Sequence, residues 1–189
     1  MNTEDEIADV SLWEHLSLTA TIANCFYLYS EEKNLLDLEE IKKSENKEVF
    51  RLVVGDFSGI QKYIFDIQKM KSAAKRLKGR SFLVQLILDD IKNRILSELK
   101  LNSSNVVISA GGKFIILVPN MNNTKKDFEK IKKEVEERIF KRFKGEIRFN
   151  LAFSEEFGGG EFGEENGDFG KYYDNAFRAL AKNQFRPFI

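Results

Sequence analysis

A single cysteine, Cys25, has no partner within the chain, so a disulfide framework is excluded and a reducing, cytoplasmic setting is expected. Cys25 falls in an apolar helical stretch with no activating neighbour, which predicts a buried structural thiol. Long apolar runs are also missing. No stretch approaches the roughly 20 residues a bilayer-spanning helix needs, and no membrane partner is expected. The opening Met1-Asn2-Thr3-Glu4-Asp5-Glu6 is acidic where a signal peptide would be basic and then apolar. Histidine occurs once, at His15. The 189 residues suffice for one sizeable core, or for a domain with a helical appendage.

An excess of either charge is lacking too, since 30 basic residues balance 30 acidic ones. The balance is nevertheless uneven along the chain. Residues 1–49 hold 12 acids and 4 bases, residues 50–154 hold 11 acids and 22 bases, and 155–168 hold six acids and no base. The neutral total therefore hides a basic middle able to attract phosphates, although lysines on solvated helix faces produce the same signal.

Periodicity supplies the elements. From Ser11, a plausible cap, to about residue 29 the apolar spacing is helical, and a short helix is expected near 35–43. Val49-Phe50-Arg51-Leu52-Val53-Val54 has strand chemistry and is expected to stop at Gly55-Asp56. A helix over 58–68 follows, then a longer one over about 80–99 with Phe82, Leu83, Leu86, Ile87, Ile91, Ile95 and Leu96 as its apolar stripe. Val106-Val107-Ile108-Ser109 and Phe114-Ile115-Ile116-Leu117-Val118 flank Gly111-Gly112 as a hairpin, ended by Pro119-Asn120. A helix over 125–142, a strand over 146–153, an exposed acidic loop over 155–170 and a helix over about 172–182 complete the chain. Trp13 and most of the seventeen phenylalanines are assigned to the core. Residues 49–154 thus run β-α-α-β-β-α-β. This is an α+β, ferredoxin-like (split βαβ) antiparallel sheet with an extra helix, preceded by a helical N-terminal segment. Unrelated binding proteins and enzymes share that order, so topology alone does not choose a function.

The junction Gly55-Asp56-Phe57-Ser58-Gly59-Ile60-Gln61-Lys62-Tyr63-Ile64-Phe65 is more specific. Its glycines permit a sharp turn and close approach to a ligand, and the following helix start offers amide hydrogens to a phosphate. The run resembles the Gly-Asp-x-Ser-Gly-Ile-Gln-x-(aromatic)-Ile motif that opens the first palm domain of type III CRISPR effector large subunits. Lys78-Gly79-Arg80-Ser81-Phe82-Leu83 resembles that family's basic entry to the next helix. Ser109-Ala110-Gly111-Gly112-Lys113-Phe114, with Leu117-Val118-Pro119-Asn120, resembles its Gly-Gly-Lys-Phe hairpin. Val10-Ser11-Leu12-Trp13-Glu14-His15 is similar to the segment closing its HD nuclease domain. The resemblance covers nearly the whole chain, and subtype III-A matches better than III-B.

The resemblance implies a division into residues 1–48, the end of an HD domain plus linker, and residues 49–189, a degenerate first palm. It implies antiviral defence, in which ATP lies between two palms, cyclic oligoadenylate is made, and Mg²⁺ is held by paired aspartates of the second palm. Asp56, Ser58, Gly59, Gln61 and Lys113 are the implied nucleotide contacts. A protonated lysine has no lone pair for a metal, so Lys113 leaves this palm non-catalytic and inactive alone. One histidine cannot build an HD site, and His15 is expected to be a satisfied surface or core residue. The implied partners are the second palm, the other subunits of the complex and, indirectly, CRISPR RNA and target RNA. Asp56 has a structural alternative, as a cap on the helix that follows.

The run from Lys69 to Arg80 has six bases and no acid, and Lys75, Arg76, Lys78 and Arg80 are candidate nucleic-acid or phosphate contacts, against the plainer role of solubilising a loop. Few aromatics interleave it, so base stacking is not indicated. The acidic 155–168 segment matches no calcium loop and is expected to be disordered. Two rivals remain at this point: a stand-alone RNA-binding or assembly module, and a diguanylate-cyclase-like enzyme, whose metal chemistry would have no ligands here.

Overall fold

In the computed structural model, which describes residues 10–35, 37–43, 47–66, 72–163 and 167–184, the β-branched and aromatic run after Val49 extends as a nine-residue strand, β1 (Phe50–Ser58). It pairs antiparallel with β3 (Lys113–Pro119) on one side and with β4 (Arg148–Phe153) on the other. The edge strand β2 (Val106–Ala110) pairs only with β3, so the sheet order is β2-β3-β1-β4. This is the expected ferredoxin-like sheet, and its strand pairing is antiparallel throughout.

Alternation sends successive side chains to opposite faces. Val53, Phe57, Phe114, Ile116, Val118, Phe149 and Leu151 face α4 (Ala73–Glu98) and α5 (Thr124–Phe143). Helix α5 buries Phe128, Ile131, Val135, Ile139 and Phe143, a three-to-four-residue spacing that keeps one face on the sheet. On the other face, Phe50, Leu52, Val54, Ile115, Leu117 and Ala152 pack with α1 (Leu12–Lys33) and α6 (Phe169–Gln184). Ser11 caps α1 as expected, in a reciprocal capping box with Glu14. Two short α-helices, α2 (Leu38–Lys43) and α3 (Ile60–Phe65), and two single 3-10 turns, Ser103–Asn105 and Gly159–Phe162, complete the described elements.

Several expectations change. Helix α4 starts at Ala73, so Lys75, Arg76 and Lys78 are helical and do not sit in a loop. Its buried ridge is Val84, Leu88, Ile91, Ile95 and Leu96, while Phe82 and Leu86 point to solvent. Between 82 and 88 apolar residues surround nearly the whole helix, so periodicity cannot choose the sheet-facing ridge. Helix α3 is shorter than the expected 58–68 helix: Ser58 still belongs to β1, Gly59 turns the chain, Asp66 lies just past the helix end at Phe65, and residues 67 and 68 lie outside the described residues. Trp13 is 77% exposed, not core, because only the C-terminal half of α1 lies over the sheet. The acidic 155–170 segment, where described, is ordered against the sheet. Phe157 exchanges two 2.9 Å backbone hydrogen bonds with Phe50, and Arg51 pairs with Glu156 at 2.6 Å. The rings of Phe157 and Phe162 pack against Phe50, and those of Phe169 and Tyr172 pack against Phe157. Burial of those rings outweighs the segment's charge.

Helix α1 is joined to the sheet by a buried polar network. Asn105, in a single 3-10 turn (Ser103–Asn105), donates to the Leu117 carbonyl at 2.9 Å and accepts from Asn24 at 2.9 Å. The Thr21 hydroxyl donates to the carbonyl of Ser104. Cys25 lies beside this network, fully buried, and burial pushes its thiol up to about 12, so it stays a protonated structural thiol. Asn105→Ala removes the acceptor of the half-buried Asn24 amide and one of the two side-chain donors to the buried Leu117 carbonyl, at a cost of roughly 1–3 kcal/mol. The expected fall in Tm is about 2–10 °C at this chain length. A melting curve superimposable on the parent's would show that the network does not hold α1.

A pH dependence follows from Glu136 on α5. Burial raises its carboxyl above the usual glutamate range, with Lys132 and the Leu151 amide pulling the other way. A raised folded value means the protonated form is favoured in the fold, so Glu136 costs stability as pH rises above the unfolded glutamate range. Glu136→Gln should therefore raise Tm at neutral pH and change little below about pH 4, where the unfolded carboxyl is also protonated. Equal shifts at both pH values would remove ionisation as the cause.

Candidate functional site

Gly55 does not turn the chain; it lies within β1. A Cβ there would sit 2.5 Å from the Phe114 ring and 2.8 Å from that of Phe149. The missing side chain lets those two rings close over the strand, whose centroids lie 5.9 Å apart. The strand consequently runs on through Asp56 and Ser58, past the expected stop at Gly55-Asp56.

Pairing then fixes what surrounds Asp56. It lies opposite Lys113 on β3 and Asn150 on β4, and Ser58 lies opposite Arg148. Alternation puts all five on the α1/α6 face, just past the point where Val54, Ile115 and Ala152 end its apolar part. Asn150 is buried, with its amide nitrogen 3.5 Å from the Ser58 hydroxyl, while Lys113 and Arg148 are exposed. Asp56 is the one carboxylate among the five, and the ammonium across from it cannot ligate a cation. This sheet end does not fit a pair of divalent metals. Among the described residues no three His, Cys, Asp or Glu side chains converge.

The turn itself is made at Gly59, whose φ of 86° is the left-handed conformation. Gly59 starts α3 with no side-chain cap, so Asp56 is not that helix's cap. The hairpin tip abuts the same place. Gly111 and Gly112 both have positive φ, as a tight two-residue hairpin turn requires. The Gly112 carbonyl accepts from the Phe57 amide at 3.1 Å. A Cβ on Gly112 would meet Ile60 at 2.3 Å, whereas one on Gly111 meets nothing within 4 Å.

A cleft of about 520 Å³ opens beside the turn, lined by Ser58, Gly59, Lys62, Tyr63, Asp66, Arg80, Gly145, Glu146 and Arg148. The structure thus brings Ser58, Gly59 and Arg80 together, and aligns Asp56 with Lys113 across the neighbouring rungs. Gln61 is exposed on α3 outside the cleft lining, and Lys75, Arg76 and Lys78 are exposed on the first turns of α4. The Arg80 guanidinium donates to the carbonyls of Tyr63 and Asp66 and lies 4.8 Å from the Tyr63 ring centre. Arg80 therefore closes the C-terminal end of α3, where free carbonyls attract a cation. His15 is exposed on α1.

Sequence reasoning missed Arg148, Asn150 and Lys62. The first two carried a signal: in Ile147-Arg148-Phe149-Asn150-Leu151 the polar residues alternate with apolar ones, which marks a strand with one polar face.

The family model for Csm1 subunit domain B matches residues 49–189. A subtype III-A CRISPR system single-strand-specific deoxyribonuclease Cas10/Csm1 from Enterococcus italicus is 32% identical over 157 residues, covering 79% of this chain and 21% of the relative. Its counterpart from Methanocaldococcus jannaschii is 34% identical over 161 residues, covering 77% and 20%. The chain spans about a fifth of the length of these curated relatives. Among solved structures, a Csm1-Csm4 cassette in complex with AMPPNP matches with a TM-score of 0.81 at 29% identity, over 93% of this chain and 23% of that one. A cassette in complex with one ATP matches with a TM-score of 0.80 at 30% identity, over the same shares.

The turn can be tested by itself. Gly59→Ala forces a side chain into left-handed backbone, costing about 1–2 kcal/mol, and directs a Cβ to within 2.5 Å of the Glu146 carbonyl oxygen. Gly111→Ala meets only the first penalty. In urea unfolding Gly59→Ala should lose more stability than Gly111→Ala, and the reverse ranking would contradict the close packing of β4 against the turn.

Proposed function

The chain belongs to the Csm1 subunit domain B family, and from that premise we propose that it is the non-catalytic first palm of a type III-A CRISPR large subunit. In this reading residues 49–189 form the palm and residues 1–48 the end of a preceding helical domain. Its polar sheet end contributes contacts to ATP held against a second palm, and the metal ions for cyclic oligoadenylate synthesis are supplied there. The observation that carries the reading is the Asp56–Lys113 rung beside the Ser58–Gly59 turn. A cation replaces the second carboxylate a metal pair would require, and the same cation suits a nucleotide phosphate. Nucleotide-bound Csm1-Csm4 cassettes of matching fold support the ligand class.

In these roles Lys113 pairs with phosphate oxygens, Ser58 donates a hydroxyl, and Gly59 makes the left-handed turn beside them, its side-chain space taken by the Glu146 carbonyl. Asp56 holds its neighbours in place and carries no metal by itself. Gln61, exposed on α3, extends the contact region. Cytoplasmic antiviral defence, in assembly with other type III subunits around CRISPR RNA, is the setting this role requires.

Titration with a fluorescent ATP analogue tests the proposal, using the chain alone and mixed with a Csm1 fragment that contains the second palm. The mixture should bind more tightly than either part, and the chain alone should form no cyclic oligoadenylate. Lys113→Ala should weaken binding in the mixture by roughly 10- to 100-fold, the scale of a hydrogen bond to a charged group. Undiminished affinity in Lys113→Ala would end the assignment.

A further inference from the structure

The outer side of the α4/α5 layer is not closed. The two helices run antiparallel, since the ion pairs Arg94–Glu134 and Asp90–Arg138 retreat along α4 as they advance along α5. Between them lies a groove of about 870 Å³, floored by Leu83, Ile87 and Ile139. At its edge two large α4 side chains stand in solvent: Phe82 is 65% exposed and Leu86 49% exposed. They are one helical turn apart, on a face where an amphipathic helix bathed in water carries polar residues. The core does not require them, because α4 reaches the sheet through Val84, Leu88, Ile91 and Ile95. Bare apolar side chains beside an apolar groove mark a contact surface.

The charges on the outer ridge of α5 say what it contacts. Glu134, Glu137, Lys141 and Lys144 follow at three- and four-residue intervals, acids first and bases after. Glu137 and Lys141 line the groove and are exposed, and neither makes an ion pair among the described residues. A two-fold axis crossing α5 at the level of Ile139 lays this ridge against itself in reverse. Glu137 then faces Lys141 of a second copy, each two positions from Ile139, and Glu134 faces Lys144, each five positions away. A rim of one sign would repel a copy and select an oppositely charged partner. This rim is complementary to itself, the condition an isologous contact must meet.

We infer that the outer α4/α5 face is a homodimer interface, in which two copies bury Phe82 and Leu86 against each other's grooves. Removal of apolar surface from water drives the association. The Glu137–Lys141 pairs lie at the solvated rim, so they fix the antiparallel register and add little strength. The polar sheet end lies on the opposite face of the sheet, with α1 and α6, and pairing leaves it open. The inference therefore stands whether or not nucleotide binds there.

The test is sedimentation equilibrium of the full chain from about 1 µM to about 1 mM, the range in which a contact of this size associates. The mean mass should climb from 21.9 kDa toward twice that value. Leu86→Glu, at a position the core does not use, should weaken association tenfold or more while leaving the melting curve at low concentration unchanged. Glu137→Lys and Lys141→Glu each set like charges across both rungs of the pair and should weaken association as single variants. An equimolar mixture of these two variants restores opposite charges at every rung and should associate as the parent does, an outcome that a merely structural role for either residue would not produce. A parent that stays monomeric to the highest concentration overturns the proposal. So does a dimer that Leu86→Glu leaves at parental strength, since its contact lies elsewhere. A mixture no stronger than its weakened components overturns it as well, because the two copies then do not meet in reverse along α5.

Discussion

Strand β1 is paired to β3 from Phe50 to Asp56 and to β4 from Val53 to Ser58, and the rest of the molecule is arranged around that double pairing. A central strand buried on both faces tolerates no slip, because moving by one residue exchanges every side chain between faces. Such a slip would drive Asp56 and Ser58 into the phenylalanines packed under α4 and α5, and would carry Val53 and Phe57 to the other face. Gly55 secures the register further, since only at that rung can the rings of Phe114 and Phe149 close over the backbone. The polar sheet end is thus a consequence of apolar packing on the opposite face.

The two faces serve different ends. The α4/α5 side is a continuous apolar layer. The α1/α6 side is apolar only over its first half, where Phe50 gathers the rings of Phe26, Phe157 and Phe162. Beyond Val54 the same face becomes polar, and its charges are mixed across the strands: Asp56 faces Lys113, and Ser58 faces Arg148. Cross-strand opposite charges sit comfortably at a half-solvated sheet end. They leave it suited to an anionic ligand and unsuited to a pair of divalent cations.

Much of the fold was legible from local pattern. The Gly111-Gly112 hairpin, the α5 stripe from Phe128 to Phe143 and the Ser11 cap each follow from spacing or turn chemistry that neighbours in sequence supply. The site was legible in part. Ser58, Gly59 and Arg80 do meet in one cleft, yet Arg80 faces inward to α3, and the role of Gly55 as a packing gap looks identical in sequence to that of a turn glycine. Phe82 was indistinguishable from its buried neighbours, because apolar residues ring that part of α4. The acidic 155–170 stretch misled because its charge count concealed the rings of Phe157, Phe162 and Phe169.

The amino-acid sequence by itself determined the order and type of the elements, the family to which the chain belongs and the absence of a second carboxylate at the hairpin, since each depends on residues within one local run. Tertiary structure alone decided that Asp56 shares its rungs with Lys113 and Asn150, that α1 joins the sheet through Asn105, and that Phe82 and Leu86 stay bare on α4. Those outcomes depend on strand register and on which helix ridge meets the sheet. Both are set by packing between segments tens of residues apart, where no local pattern reaches.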